Sequence, residues 1–254
     1  MKNNIIIANW KMSLSHKEAQ GLLRDLIKKY NIKEQGRNEL VICPSFVTLA
    51  EASKKIAETK MILGAQDCFW EDEGPFTGEV SPTVLKELGC QYVIIGHSER
   101  RKFLTEDDEM INKKVKSALK NDLAPVVCVG EKFEERQVGD KDFIIMQQVK
   151  KALNGVELNK GQKLIVAYEP VWVIGSGQAV SSEEAEHTNQ VVRQILLDQF
   201  PVEVMDNQVY LIYGGSINLY NIKQFLNEAT IDGALIGTAS LEAESFWGLV
   251  KAAA

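Results

Sequence analysis

A carboxylate follows a strand-like apolar run in the stretch "LIVAYEPVWVIGSG", residues 164–177. The run is typical of a parallel strand covered on both faces, and Pro170 ends it because proline has no N–H for the hydrogen-bond ladder. Glu169 is therefore expected at the carboxyl end of a strand, beside a glycine-bearing segment. A carboxylate held there can act as a general base, although helix capping or a salt bridge would also explain it.

Three further side chains that could take part in a reaction follow other apolar runs. The first run ends in "ANWK", which contains Asn9 and Lys11, and the motif "IIGHSERR" contains His97. Taken singly, Lys11 is typical of a solvated surface cation and His97 of a histidine bound to a backbone carbonyl. Together with Glu169, they supply the base, hydrogen-bond donors and positive charge needed to remove a proton next to a carbonyl group.

Two glycine-bearing motifs indicate an anion site. They are "YGGS" at 213–216 and "IGTAS" at 236–240, and each follows a strand-like run and precedes a helical segment. Glycines let backbone N–H groups approach an anion closely, and the first N–H groups of a helix have no partner within the helix. Ordinary turns would explain either motif alone. The pair predicts a phosphate cradle.

The elements that must position these residues alternate regularly along the chain. Eight strand-like runs lie at 5–9, 40–44, 61–65, 92–96, 125–130, 164–169, 209–214 and 233–237. The first helical face carries Ala19, Leu22, Leu23, Leu26, Ile27 and Tyr30, and later helical segments lie at 46–57, 82–88, 107–121, 141–154, 182–200, 217–228 and 242–252. Ser181 and Glu184 have the spacing of a capping box, and Asp107 or Thr105 could cap the fourth helix.

This alternation predicts an α/β fold, a single-domain (β/α)8 barrel over residues 1–254. A doubly wound sheet is the alternative, but it would leave strands to spare. No linker or low-complexity tract indicates a domain boundary. Because a barrel of this kind carries its chemistry where its strands end, the candidate residues are expected on one rim.

Composition limits the partners and the compartment. The net charge of −6 and the pI near 5.3 give no broad attraction to nucleic acid or to an anionic membrane. No run of 18 apolar residues occurs, and the N-terminal apolar run is too short for a signal sequence, so a cytoplasmic protein is expected. Four cysteines without C-x-x-C spacing are interpreted as reduced and buried: Cys43, Cys68, Cys90 and Cys128.

At this point the motifs resemble one family. "NWKM", "FTGEVSP", "CVGE", "GHSERR", "AYEPVWVIGSG" and "YGGSI" span the chain and are similar to those of triosephosphate isomerases. The resemblance implies a homodimeric barrel that interconverts dihydroxyacetone phosphate and glyceraldehyde 3-phosphate, in glycolysis and gluconeogenesis, without metal or organic cofactor. It makes Glu169 the base, His97 the electrophile, and Lys11 and Asn9 electrostatic partners.

The resemblance also assigns the phosphate site, a lid and a dimer contact. The phosphate is expected on amides near Gly175, Ser216, Gly237 and Thr238, with Lys11 adding its charge. Residues 170–178 become a lid, and 71–82 a loop that reaches into the partner subunit.

Several positions depart from the family pattern. Thr238 stands where a second glycine is common, and its amide can serve only if its φ stays in an ordinary region. Gln178, Val173 and Ser176 replace common lid residues, which bears on lid kinetics rather than on the chemistry. Pro75 replaces an alanine and stiffens the 71–82 loop.

The family also implies that a short helix beginning at "SERR" keeps His97 neutral. Triosephosphate isomerase is itself the standard example of this base and neutral imidazole, so the expectation comes from the resemblance. Two other functions stay open from the sequence. A metal-dependent phosphosugar isomerase or epimerase would need several converging ligands, and a non-catalytic binding protein would have lost the base or the electrophile.

Overall fold

The computed structural model describes residues 3–30, 32–175 and 178–254 and contains a closed parallel barrel. The strands are β1 Ile5–Asn9, β2 Glu39–Cys43, β3 Ile62–Ala65, β4 Cys90–Ile95, β5 Ala124–Val129, β6 Leu164–Tyr168, β7 Val209–Tyr213 and β8 Gly233–Ile236. Each strand pairs with its neighbours in sequence order, and β8 pairs with β1. The predicted (β/α)8 barrel is confirmed.

Closure between β1 and β8 depends on a glycine. Ile5 pairs with Gly233, which has a φ of +156°. A Cβ at Gly233 would lie 2.1 Å from the carbonyl oxygen of Ile5, so only glycine permits this approach. The first residue of β8 is thus fixed by a steric requirement rather than by its apolar character.

The strand residues alternate between two apolar layers. Ile5 and Ile7 point into the barrel, where they pack with residues such as Ile94 and Ile165. Ile6 packs in the outer layer, between the strands and the helices. Burial on both faces explains why the strands read as continuous apolar runs.

Helices cover the outside of the barrel. They are α1 His16–Lys29, α2 Ile32–Gln35, α3 Phe46–Ile56, α4 Pro82–Glu87, α5 Ser98–Phe103, α6 Asp108–Lys120, α7 Phe133–Gln137, α8 Lys141–Ala152, α9 Ser182–Leu197, α10 Val202–Gln208, α11 Ile222–Leu226 and α12 Ala243–Ala253. Short 3₁₀ turns lie at Val171–Val173 and Thr238–Ser240. The periodic pattern does not predict α2, α7 and α10.

The helix expected over 217–228 is shorter than predicted, and α11 begins only at Ile222. The side-chain oxygen of Asn218 accepts hydrogen bonds from the N–H groups of Tyr220 and Asn221, at 2.9 and 3.2 Å. Asn221 in turn accepts from the N–H of Asn218 at 2.8 Å. These side-chain bonds satisfy the backbone in a turn and delay the helix.

Helix caps follow the predicted positions in part. The Ser181 hydroxyl accepts from the N–H of Glu184 at 3.2 Å, and Asp107 caps α6 by accepting from the N–H of Met110 at 2.8 Å. Thr105 has a φ of +54° and does not cap that helix. The capping aspartate therefore fixes the start of α6.

The four cysteines are free and buried, as predicted. Burial raises the pKa of the Cys128 thiol well above its ordinary value, so the group is protonated at neutral pH. Among the described residues, no helix is both long and apolar enough to cross a membrane.

Candidate active site

One pocket of about 230 Å³ lies at the carboxyl ends of the strands. It is lined by Asn9, Lys11, His97, Glu169, Ile174, Gly175, Gly214, Gly215, Ser216, Ile217, Leu235, Gly237, Thr238 and Ala239. All the site residues selected from the sequence are among them. The barrel thus brings together groups that are far apart in the chain.

The backbone of Glu169 is clamped between the neighbouring strands. Its N–H donates to the carbonyl of Val129 at 2.7 Å, and the N–H of Gly214 donates to the carbonyl of Tyr168 at 2.8 Å. A Cβ at Gly130 would lie 1.7 Å from the carbonyl oxygen of Glu169, so the β5 end must be glycine for this contact. The base candidate is therefore held by a rigid scaffold.

The Glu169 residue is 2% exposed, and its carboxylate contacts His97 and Ser98. Oε1 lies 3.1 Å from Nε2 of His97, and Oε2 accepts from the N–H of Ser98 at 3.2 Å. Burial favours a higher pKa for Glu169, but His97 and the hydrogen bonds from His97 and Ser98 outweigh it and hold the pKa below its ordinary value. Glu169 is thus ionised at neutral pH.

His97 occupies the N-cap position of α5. Its Nδ1 accepts a hydrogen bond from the N–H of Glu99 at 3.2 Å, so the ring proton is on Nε2, which faces Glu169. Burial lowers the pKa of His97, but the Glu169 carboxylate has the opposite effect. The net result is a raised pKa while the two groups are in contact. A second proton on Nδ1 would break the cap bond, which favours the neutral ring expected from the sequence.

Lys11 has an unusual backbone, with a φ of +52°. The side-chain oxygen of Asn9 accepts from the N–H of Lys11 at 3.0 Å, and Nε2 of Gln66 donates to its carbonyl at 2.9 Å. A left-handed conformation is costly for a residue with a side chain, so these contacts compensate for strain. The ammonium group of Lys11 lies 2.7 Å from Oε1 of Glu99, which orients the cation.

The two glycine motifs form the opposite wall. A Cβ at Gly214 would lie 2.8 Å from Cγ of Glu169, and one at Gly237 would lie 3.3 Å from Cε of Lys11. Thr238 opens the 3₁₀ turn, and its φ is not positive, so its amide meets the condition set from the sequence. The first N–H groups of such a turn have no partner within it, so they can donate to an anion.

A buried ion-pair cluster stabilises the helix α5 next to the site. The ammonium of Lys114 lies 2.8 Å from Asp67 and 2.9 Å from Glu106, and Arg100 contacts the same two carboxylates at 2.9 and 2.6 Å. Burial, opposed by Lys114 and reinforced by Glu106, raises the pKa of Asp67 to about 6. Since Arg100 belongs to α5, the cluster anchors the helix that follows His97.

Two supporting residues contact Lys11 from distant parts of the chain. Glu99 belongs to the "HSERR" motif at the end of the fourth strand-like run, whereas Gln66 follows β3 outside the pocket lining and carries no distinguishing signal in the sequence. Their contacts with Lys11 span 88 and 55 positions of the chain. Such partners can be identified only from the closed barrel.

Among the described residues, no cluster of three or more His, Cys, Asp or Glu side chains could hold a metal ion.

Known proteins match this chain along nearly its whole length. The profile of the family described as "Triosephosphate isomerase" matches residues 4–253. The chain belongs to the triosephosphate isomerase family. A triosephosphate isomerase from Dictyoglomus turgidum is 47% identical over 251 residues, which cover 99% of this chain and 100% of the relative.

Two further triosephosphate isomerases give the same result. Those from Dictyoglomus thermophilum and Thermoanaerobacter sp. are 46% and 43% identical, each over 99% of this chain and 100% of the relative. The resemblance found in the motifs is therefore confirmed over the entire barrel. Membership of an isomerase family favours an enzyme over a binding protein built on the same fold.

Proposed function

We propose that this single-domain barrel interconverts dihydroxyacetone phosphate and D-glyceraldehyde 3-phosphate by proton transfer through an enediol(ate), as a step of glycolysis and gluconeogenesis. Family membership supports the reaction. The observation that carries the roles of the residues is the 3.1 Å contact between the Glu169 carboxylate and Nε2 of His97, inside a pocket that also contains Lys11 and the glycine walls.

Glu169 is the proposed base. It takes a proton from the carbon next to the carbonyl group, the C–H electrons form the C=C bond, and the carbonyl π electrons move to oxygen. Nε2–H of His97 hydrogen-bonds to this oxygen and stabilises its charge. A proton then passes from the hydroxyl on the first carbon to this oxygen, and delivery of a proton to the neighbouring carbon forms the aldehyde and completes the isomerisation.

Substrate binding is expected to raise the pKa of Glu169 and to lower the pKa of His97, and both changes favour the reaction. The substrate has to separate Glu169 from His97, because the Nε2 donor is occupied by the carboxylate. Glu169 then loses contacts that lower its pKa while burial still raises it, so it becomes a stronger base. His97 loses the carboxylate that raises its pKa most while burial still lowers it, so its pKa falls and the neutral ring is favoured.

Lys11 and Asn9 are the proposed electrostatic partners of the reacting oxygens and the phosphate. Glu99 holds the ammonium group, and the bond from the N–H of Lys11 orients the Asn9 amide. The amides near Gly175, Ser216, Gly237 and Thr238 are the proposed phosphate ligands. Backbone N–H groups suit this role because they donate without adding charge.

Residues 170–178 are the proposed lid over this site. Ile174 and Gly175 line the pocket mouth, and Gly175 has a φ of +73°, which favours glycine. Ser176 and Gly177 lie outside the described residues. The family is the standard example of loop closure in catalysis, and closure would keep water from the intermediate.

A homodimer through residues 71–82 is the proposed assembly. Large apolar side chains are exposed around this loop and the ends of β1 and β2: Met12 is 96%, Val47 80% and Phe76 39% exposed. The base of the loop is fixed by the bond from the N–H of Phe69 to the carbonyl of Val80 at 2.8 Å. Such a group of exposed apolar residues is typical of a protein contact.

A cytoplasmic location is the proposed compartment. It agrees with four free, buried cysteines, since reducing compartments keep thiols unpaired. Cell fractionation followed by detection of the chain in the soluble and membrane fractions would check it.

A coupled assay with dihydroxyacetone phosphate tests the function. The purified protein should turn over this substrate equally with and without a chelator, and Glu169→Gln should lose activity while still binding a phosphate-bearing inhibitor. Activity that the chelator abolishes would favour a metal-dependent isomerase. Absence of turnover with retained inhibitor binding would favour a binding protein.

A further inference from the structure

Arg136 lies outside the pocket, at a junction between α7 and α9. Its guanidinium carbon lies 4.8 Å from the centroid of the Trp172 ring. Its two terminal nitrogens contact the two carboxylate oxygens of Glu184, with Nη2 3.0 Å from Oε2 and Nη1 in contact with Oε1. One side chain of α7 thus contacts both the segment that follows Glu169 and the first turn of α9.

The Trp172 ring is held at its edge as well as on its face. Nε1 of Trp172 donates to Oε1 of Glu131 at 2.8 Å, and Glu131 is fully buried. The Phe133 ring lies 6.1 Å from the Trp172 ring, at a tilt of 53°. Because Arg136 covers the ring face that Glu131 cannot reach, the two contacts together fix the orientation of the indole.

The position of this ring bears directly on the pocket. Trp172 lies in the 3₁₀ turn Val171–Val173, between Glu169 and the pocket-lining residues Ile174 and Gly175. The N–H of Val171 donates to the carbonyl of Glu131 at 3.1 Å, so the turn begins at a fixed point. Beyond that point, the Trp172 ring and the fully buried Val173 anchor the segment.

The chemistry of this contact requires arginine. A planar guanidinium can stack on an aromatic ring and bind both oxygens of a carboxylate, whereas a lysine ammonium is a single point charge. Arg136 and Glu184 are partly shielded, with side chains 33% and 25% exposed. The hydrogen bond to Glu184 raises the pKa of Arg136, so the guanidinium stays charged.

We propose that Arg136 is a positioning residue for the isomerase reaction, which fixes Trp172 and thereby the 170–175 segment at the pocket mouth, with Glu184 orienting the guanidinium. This inference rests on the proposed function. It differs from a purely structural role, in which the Arg136–Glu184 pair would join α7 to α9 without effect on the reaction.

The reaction itself offers a sensitive readout. If the pocket mouth is badly positioned, the enediolate can eliminate phosphate: the carbon–oxygen bond of the ester breaks, its electron pair leaves with inorganic phosphate, and the remaining fragment becomes methylglyoxal. The fraction of flux that ends as methylglyoxal therefore reports how well the segment covers the intermediate. A loss of folding stability alone does not change this fraction.

The test compares Arg136→Met, Arg136→Lys and Glu184→Gln with Arg193→Met as the control. Arg193 projects from α9 and pairs with a carboxylate, Asp206, at 2.8 Å, so its ion pair does not involve the 170–175 segment. We expect Arg136→Met to lower kcat/KM about tenfold and to raise the methylglyoxal fraction. Arg136→Lys should not restore either value, and Arg193→Met should change neither.

The double variant Arg136→Met with Glu184→Gln should be little worse than Arg136→Met alone, because both residues act through one contact. If the variants at Arg136 and Glu184 keep the wild-type kcat/KM and methylglyoxal fraction, the positioning role is wrong, whatever happens to their thermal stability. Should Arg136→Met not fold, Glu184→Gln decides by the same two measurements. An inactive wild-type protein would refute the proposed function first and this inference with it.

Discussion

Glu169→Asp tests whether the position of the carboxylate, rather than its charge alone, matters for the reaction. The substitution keeps an ionisable carboxylate but shortens the side chain by one carbon–carbon bond, about 1.5 Å. The backbone of residue 169 cannot follow, because its N–H donates to Val129 at 2.7 Å and its carbonyl lies against Gly130. The contact of 3.1 Å with His97 would therefore open to roughly 4.5 Å, beyond hydrogen-bond distance.

A displacement of about 1 Å at a reacting group can cost ~10²-fold in rate, so Glu169→Asp should lower kcat by about that factor or more. Glu169→Gln, which removes the base but keeps the length, should cost ~10²- to 10⁴-fold. Both variants should keep the wild-type affinity for a phosphate-bearing inhibitor, measured by calorimetry, while kcat comes from the coupled assay. Near-wild-type kcat in Glu169→Asp would show that the rigid placement of this carboxylate is unimportant and would refute the reasoning.

Three other predictions follow from the structure. Shortening the 71–82 loop should give monomers with poor activity, because Lys11 loses the support proposed from the partner, and a fully active monomer in sedimentation and assay would contradict it. For Asp67, the folded pKa of about 6 lies above the unfolded value of about 3.9, so the folded state binds more protons at this group and its contribution to stability falls as pH rises from about 4 to 6. The free energy of unfolding of Asp67→Asn, relative to wild type, should thus rise by on the order of 3 kcal/mol between pH 4 and 7 in urea titrations, whereas a constant difference would be evidence against the buried charge. Thr238→Val should leave KM within about twofold of wild type if only the amide binds phosphate, and a tenfold increase would show that the hydroxyl contributes as well.

Much of the barrel could be predicted because its signals are local. Eight apolar runs and their spacing are enough to place the strands, and Pro170 marks the end of β6. Once the strand ends are known, barrel geometry brings Asn9, His97 and Glu169 to one rim. The error over 217–228 is also local in origin, since two asparagine side chains replace the first turn of the expected helix.

The supporting contacts could not be predicted because they join distant parts of the chain. No pattern in the sequence indicates that Gln66 binds the carbonyl of Lys11 or that Lys11 adopts a positive φ. The pairing of Asp67 with Lys114 cannot be predicted either, because in the sequence both residues are typical of surface charges, and only the fold shows that they are buried. Such contacts depend on which loops meet at the rim, and this is a property of the closed barrel.

Proton exchange in heavy water tests the central claim most directly. Dihydroxyacetone phosphate is incubated with the protein and a chelator in D₂O, and the products are followed by NMR. Proton transfer through Glu169 predicts glyceraldehyde 3-phosphate with deuterium at C2, and loss of this exchange in Glu169→Gln. Isomerisation or exchange at the wild-type rate in Glu169→Gln would contradict the account.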